Sequence, residues 1–208
     1  MPQPNFDLYL ITDRKLTRAG NLCAVVEQAL DGGVRAIQLR EKDLDGKELL
    51  GIADKISVLC QRYKAQLFIN DRIDVALAVD ADGVQLGKTS LPIETARALL
   101  GPGKLIGYST HALDEAMEAE HDGADFVLFG PVFFTPSKAP LGAPQGVAAL
   151  KEIVEKVALP VYAIGGINAT NLAVTMTSGI HGVALISAVM SAPNPTGVAK
   201  TILAMLER

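Results

Sequence analysis

Gln38-Leu39-Arg40-Glu41-Lys42 closes an apolar run that begins at Ala36. The run reads as a short strand, and strand side chains alternate between faces. Gln38, Arg40 and Lys42 therefore share one face, while Ile37 and Leu39 share the other. Two fixed cations and an amide along one face of a buried strand are costly unless an anion meets them. Similar polar groups end other apolar runs: Asp13-Arg14-Lys15, Asn70-Asp71-Arg72, Gly87-Lys88-Thr89-Ser90, Ser109-Thr110-His111, Thr135-Pro136-Ser137-Lys138, Gly165-Gly166 and Ser187. Basic and hydroxyl groups concentrated this way in an acidic chain favour a polyanionic ligand, most simply phosphate or diphosphate.

Each group also has a plainer reading. Gly165-Gly166 with Asn168, and Ser187 ahead of the last helix, can offer backbone N–H groups to a phosphate, or the glycines can simply make a tight turn. Asp71 can bind Mg2+ beside diphosphate oxygens, or cap the helix that follows. Lys138 lies in a Pro-rich loop, 130–146, which is a binding loop or a solvated connection. His111 can transfer protons or cap the next helix. His121 and His181 are placed on the far face as structural residues. No His/Cys/carboxylate spacing suggests zinc, and no G-x-S-x-G turn is present.

The elements that must position these groups alternate. Strand-like runs recur at Asp7–Thr12, Ala36–Glu41, Gln66–Asp71, Gly83–Lys88, Leu105–Thr110, Phe126–Val132, Val161–Gly166 and Gly182–Ala188. Helical spacing separates them at Leu22–Leu30, Gly46–Arg62, Ile93–Leu100, Leu113–His121 and Gly146–Val157, with Asn168 predicted to cap a helix after the seventh strand and Asn194-Pro195 the last one. Alternation of this kind implies a parallel sheet, and eight such units in 208 residues imply one α/β domain, a single (β/α)8 TIM barrel over residues 1–208. An open doubly wound sheet is the alternative, but the G-x-G-x-x-G turn after strand one is missing. In a barrel, all the polar groups above would gather at the C-terminal ends of the strands.

Composition narrows the setting. At 49% hydrophobic residues the chain can build a large core, yet no apolar run reaches the roughly 18 residues of a membrane span. Met1-Pro2-Gln3-Pro4 lacks the features of a signal peptide. Cys23 and Cys60 have no disulfide or metal spacing and are read as buried thiols of a reduced, cytoplasmic protein. A net charge of −4 and the absence of Trp argue against nucleic-acid binding.

Taken in order, Gln38-Leu39-Arg40-Glu41-Lys42, Asn70-Asp71, Ala81-Asp82-Gly83-Val84, Ser109 before His111, Gly130-Pro131, Thr135-Pro136-Ser137-Lys138 and Ile164-Gly165-Gly166-Ile167 resemble the thiamine phosphate synthase and thiazole tautomerase superfamily. The resemblance implies a transferase that joins an aminopyrimidine-methyl diphosphate to a thiazole phosphate and releases diphosphate. Gln38, Arg40, Lys42, Asn70 and Lys138 match residues that hold the pyrimidine diphosphate, and Ser109 matches a contact to the same substrate. Thr135 and Ser137 match a hydroxyl pair beside the thiazole. Gly166, Ile186 and Ser187 match the thiazole phosphate site, and Asp71 matches one Mg2+ ligand. Arg40, Lys42 and Lys138 would stabilise the leaving diphosphate. The implied partners are small phosphorylated pyrimidine and thiazole substrates; a homodimer is one option that the sequence leaves open, and composition points to neither nucleic acid nor membrane.

The sequence also departs from the pattern. Synthases usually read His-x-Gly-Gln-x-Asp after strand four, whereas this chain has Gln85-Leu86-Gly87-Lys88-Thr89-Ser90. Ser90 stands where a second Mg2+-binding Asp belongs, so Mg2+ binding is expected to be weak. Gln85-Leu86 with Leu91-Pro92-Ile93 resembles the tautomerase branch, which isomerises the thiazole carboxylate phosphate with a histidine at the position of His111. A non-catalytic binder of thiazole or thiamine phosphate is the third reading, and a sugar-phosphate isomerase fits the Arg40/Lys42 pair less well.

Overall fold

A computed structural model describes residues 3–17, 20–136 and 143–207. Eight parallel strands close into a barrel in chain order: β1 (Leu8–Ile11), β2 (Ala36–Leu39), β3 (Gln66–Asn70), β4 (Gly83–Leu86), β5 (Leu105–Thr110), β6 (Phe126–Phe129), β7 (Val161–Ile164) and β8 (Gly182–Leu185). Buried on both faces, the strands read as near-continuous apolar runs, as the parallel ladder requires. Most stop short of their predicted ends. β2 finishes at Leu39, so Lys42 lies in a turn and not on the strand, and the stretch predicted as the end of β8 turns into helix at Ser187.

The helices form the outer layer: α1 (Leu22–Asp31), α2 (Gly46–Tyr63), α3 (Ile73–Ala78), α4 (Ile93–Leu100), α5 (Leu113–His121), α6 (Gly146–Lys156), α7 (Leu172–Met176), α8 (Ser187–Met190) and α9 (Pro195–Leu206). Local chemistry starts several of them. Asp45 and Glu48 form a reciprocal capping box on α2, and Asn194 accepts from the Gly197 N–H at 2.9 Å with Pro195 in the first turn of α9. Asn168, expected to cap the helix after β7, does not. Its side-chain oxygen accepts from Thr170 N (2.9 Å) and Thr170 Oγ1 (2.6 Å), closing a local turn, and α7 begins only after Asn171. Asn can satisfy a loop turn as readily as a helix end, so local sequence does not choose between them.

Strand register sets the barrel interior. Side chains pointing inward from alternate strands form layers. The paired registers place Ala36, Gly83, Phe126 and Gly182 in one layer, then Tyr9, Phe68, Gly107 and Tyr162, then Gln38, Gln85, Leu128 and Ala184, then Ile11, Asn70, Ser109 and Ile164 at the C-terminal rim. The lower layers are filled by aromatic rings, with Phe6 plugging the bottom and centroid separations from 4.9 to 6.4 Å among Phe6, Tyr9, Phe68, Phe126 and Tyr162. Rings of this size fit because glycines face them: a Cβ on Gly107 would lie 2.4 Å from Phe126 Cζ. The apolar floor thus stops two layers below the rim, and amides and hydroxyls take over above it.

Two aspartates at strand entries tie neighbouring strands together. Asp82 Oδ2 accepts from Leu67 N (2.7 Å), and Asp125 Oδ2 accepts from Ile106 N (2.7 Å) and from the Arg97 guanidinium (2.5 Å). The Asp125 side chain is 7% exposed, so removing it strands a cation and a buried amide. Asp125→Ala is expected to cost about 2–4 kcal/mol, and Asp125→Asn, which keeps an acceptor, less than half of that; urea unfolding midpoints check the ranking.

The two cysteines differ, contrary to the expectation that both are buried. Cys23 is half-buried and Cys60 is 2% exposed on α2. Burial, with a smaller contribution from Asp82, pushes the Cys60 thiol up to about 12. One thiol per chain should therefore react with a disulfide reagent at pH 8 in the native protein, with Cys60 reacting only on unfolding; release of the chromophore in the presence and absence of urea counts the two.

Candidate active site

The rim formed by the C-terminal strand ends collects most of the residues singled out above. At β2, Gln38 points into the barrel and is 1% exposed. Arg40 emerges half-buried on the same side, and Glu41 turns the opposite way. Glu41 is held there by Thr12 Oγ1 (2.7 Å), Arg14 N (3.1 Å) and the Arg14 guanidinium (3.2 Å), while Thr12 Oγ1 also accepts from Arg40 N (2.9 Å). Arg14 forks onto Asp43 at 2.5 and 3.0 Å, and Lys15 joins the same carboxylate at 2.8 Å. The Arg14 guanidinium, with Lys15, holds the Asp43 carboxyl well below the usual carboxylate range. Arg14, Lys15, Glu41 and Asp43 thus brace the β1 and β2 loops. Arg40 and Lys42 have no carboxylate partner among the described residues.

At β3, Asp71 adopts a left-handed backbone (φ 61°). The helix-cap reading fails, because α3 starts at Ile73 with Arg72 as its cap and no side-chain cap bond. The Asp71 carboxylate instead accepts from Asn70 Nδ2 (2.7 Å) and from the Ser90 hydroxyl, and Ser90 Oγ accepts from Gly87 N (2.7 Å). Ser90 therefore occupies the place expected from the sequence and faces Asp71 across the β3–β4 rim, contributing a hydroxyl and no second negative charge. Lys88 is exposed and stands 3.8 Å from Glu115. Among the described residues no three His, Cys, Asp or Glu side chains gather as a metal-binding group.

At β5, Ser109 sits in the rim layer and accepts from Gln85 Nε2 (3.0 Å). Gln85, 2% exposed, was read in the sequence only as a departure from a pattern; its inward position on β4 was legible from the alternation, its bond to Ser109 was not. His111 is not a cap either, since α5 is capped at Ala112. Its Nδ1 contacts the Gly130 carbonyl and its backbone N–H donates to Glu115 (2.7 Å). A carbonyl only accepts, so Nδ1 is the donor in this contact.

Gly165 and Gly166 have φ of 97° and 68°, and a Cβ on Gly166 would come 2.6 Å from Phe134 O. The pair lets the β6 loop close over β7, with Phe133 N donating to Gly165 O (3.0 Å). Asn168 Nδ2 (3.2 Å) and Asn171 Nδ2 (2.9 Å) both donate to Gly166 O, which orients the turn. Ile186 is half-buried against the interior cluster, and exposed Ser187 opens α8, in which Val189 N and Met190 N donate to Ile186 O at 3.2 and 2.9 Å. Thr135 is half-buried in the β6 loop. Ser137 and Lys138 lie outside the described residues. A cleft of about 540 Å3 lies between the β7 loop and α9, touching Asn168, Thr170, Ala188 and Asn194; it carries no ionisable side chain and flanks the rim.

A rim that presents Arg40 and Lys42, amides, hydroxyls and the Asp71 carboxylate above an apolar floor suits a phosphorylated ligand, and comparison with known proteins agrees. The family model described as thiamine monophosphate synthase matches residues 8–189. A putative thiamine-phosphate synthase of Geobacter sulfurreducens is 48% identical over 99% of this chain and 97% of its own, and a thiamine-phosphate synthase of Clostridium novyi is 44% identical over 95% and 97%. The solved thiamine phosphate pyrophosphorylase from Pyrococcus furiosus superposes with a TM-score of 0.89 at 42% identity, covering 97% of this chain and 95% of that one. With a conserved architecture and a family match spanning all eight strands, this chain belongs to the thiamine monophosphate synthase family.

Proposed function

We propose that this chain joins an aminopyrimidine-methyl diphosphate to a thiazole phosphate with release of diphosphate, acting as a transferase in thiamine biosynthesis. The observation that carries the reading is the pair Arg40 and Lys42: among the described residues, neighbouring rim cations are ion-paired, as Arg14 is with Glu41 and Asp43 and Arg72 with Asp74, whereas these two have no carboxylate partner. A half-buried guanidinium without an internal partner is stabilised by an external anion, and a diphosphate supplies one. The names of the curated relatives favour the synthase over the tautomerase.

Each residue group has a task in this chemistry. Gln38, Asn70 and Ser109 line the layers where the pyrimidine would rest. Arg40, Lys42 and Lys138 would stabilise charge growing on the leaving diphosphate, the site's main contribution to rate. Departure of that group leaves a pyrimidine-methyl cation, which the electron-rich aminopyrimidine ring stabilises and the thiazole nitrogen captures. Thr135 and Ser137 would flank the thiazole, and Gly165, Gly166, Ile186 and Ser187 would seat its phosphate. Positioning and electrostatics then suffice without a protein nucleophile.

The donors at β3 and β4 fit a weakly held Mg2+. The Asp71 carboxylate and the Ser90 hydroxyl are hard oxygen donors, and Mg2+ commonly takes one or two carboxylates with the rest of its shell from substrate phosphates and water. When bound, the ion would neutralise part of the diphosphate charge. We place the reaction in the cytoplasm; no helix among the described residues is long and apolar enough to cross a membrane.

Purified protein given the pyrimidine diphosphate, the thiazole phosphate and Mg2+ should form thiamine phosphate; no product from folded protein that binds thiazole phosphate would overturn the reading in favour of the tautomerase. Arg40→Ala and Lys138→Ala are each expected to lower kcat about 10²–10³-fold, and His111→Ala by much less; a His111→Ala loss larger than either would reverse the assignment. Ser90→Asp, by adding a carboxylate opposite Asp71, should lower the half-saturating Mg2+ concentration about tenfold, read from metal titrations of initial rate.

A further inference from the structure

Gln85 is buried at the centre of the site and has no task in the chemistry above. Its side chain occupies the layer directly beneath the rim, with Gln38, Leu128 and Ala184. One end of its amide is satisfied: Nε2 donates to Ser109 Oγ at 3.0 Å. The other end is not, since Oε1 is buried without a hydrogen-bond partner. Leaving a buried amide oxygen unpaired costs about 1–3 kcal/mol. Even the space it occupies depends on a neighbour's missing side chain, because a Cβ on Gly107 would lie 2.3 Å from Oε1. An apolar residue of similar length would fill this layer without that cost. The polar side chain therefore does something that packing does not require.

What it does follows from hydroxyl chemistry. A serine hydroxyl can accept hydrogen bonds or donate one. With the Gln85 amide N–H directed at its oxygen, Ser109 is already an acceptor on the barrel side, and its proton is left to point toward the open rim. The nitrogens of a pyrimidine ring are acceptors, so a hydroxyl set as a donor matches them, and one set as an acceptor meets them lone pair to lone pair. We propose that Gln85 is a positioning residue that fixes Ser109 as a hydrogen-bond donor to the pyrimidine ring. The assignment rests on the synthase reading and deepens it: selectivity for a ring with a nitrogen at that position is set one layer below the surface that touches it.

Gln85→Met keeps length and removes the donor, and Gln85→His keeps an N–H that can reach Ser109. Steady-state kinetics with both substrates, and a cycle with Ser109→Ala, separate the possibilities. Gln85→Met is expected to raise the KM for the pyrimidine diphosphate about tenfold, leave the KM for the thiazole phosphate within about twofold, and be recovered in large part by Gln85→His. In the double variant, Gln85→Met should add almost nothing to the loss from Ser109→Ala, because the two act through one hydrogen bond. Losses that multiply, or both KM values rising together, would overturn the inference while leaving the synthase reading intact. Should Gln85→Met fold poorly, as its melting curve would show, Gln85→Leu removes the same donor with a smaller side chain and must give the same selective rise; an unchanged pyrimidine KM in folded Gln85→Leu would overturn the inference. Wild-type protein that forms no thiamine phosphate overturns the synthase reading and this inference with it.

Discussion

Closure of the parallel ladder is the constraint on which the rest depends. Once β1 pairs with β8, no strand can slip against its neighbour without disturbing the whole ring, and every inward side chain acquires a fixed height along the barrel axis. That height decides chemistry. Aromatic rings opposed by glycines fill the lower layers and exclude water, and the same register lifts Gln38 and Gln85, then Asn70 and Ser109, to the rim. Parallel pairing also sends all eight C-terminal ends to one side, so loops far apart in sequence converge without a dedicated contact to gather them.

Charge at the rim is sorted by this geometry. Arg40 and Glu41 are adjacent in sequence and opposite in charge. Just past the end of β2 they turn to opposite sides, and Thr12 and Arg14 from the loop after β1 hold the carboxylate away. Arg14, Lys15 and Asp43 are spent on bracing the loops, and their exposed pairs contribute little stability on their own. Arg40 and Lys42 are left without a carboxylate partner among the described residues, so an acidic protein presents local positive charge suited to a polyanion.

The metal question shows the same division between residue type and placement. Asp71 owes its position to a left-handed backbone turn at the end of β3, and its carboxylate is oriented by Asn70 and Ser90. The resemblance identified Ser90 as the position of a missing carboxylate; the fold shows the hydroxyl spanning to Asp71, so the two strand ends are joined by a hydrogen bond where two negative charges would otherwise repel each other.

The sequence by itself determined the strand–helix alternation, the barrel, and the residue types at the strand ends, because hydrophobic period and turn chemistry are local properties that a linear pattern carries. It was also sufficient for the family, since ordered motifs at successive strand ends survive without knowledge of distances. It misjudged features that depend on competition for a partner. Asn168 and Asp71 are both good helix caps by type, yet one closes a loop turn and the other faces Ser90. Cys23 and Cys60 look alike in helical stretches, and only packing makes one buried and the other half-open. Lys42 looked like the third residue of a strand face, but the ladder ends at Leu39. The tertiary structure alone decided that Gln85 meets Ser109 from the next strand and that Glu41 is turned away from Arg40, because hydrogen-bond partners across a barrel are fixed by the register between strands, which the one-dimensional pattern does not contain.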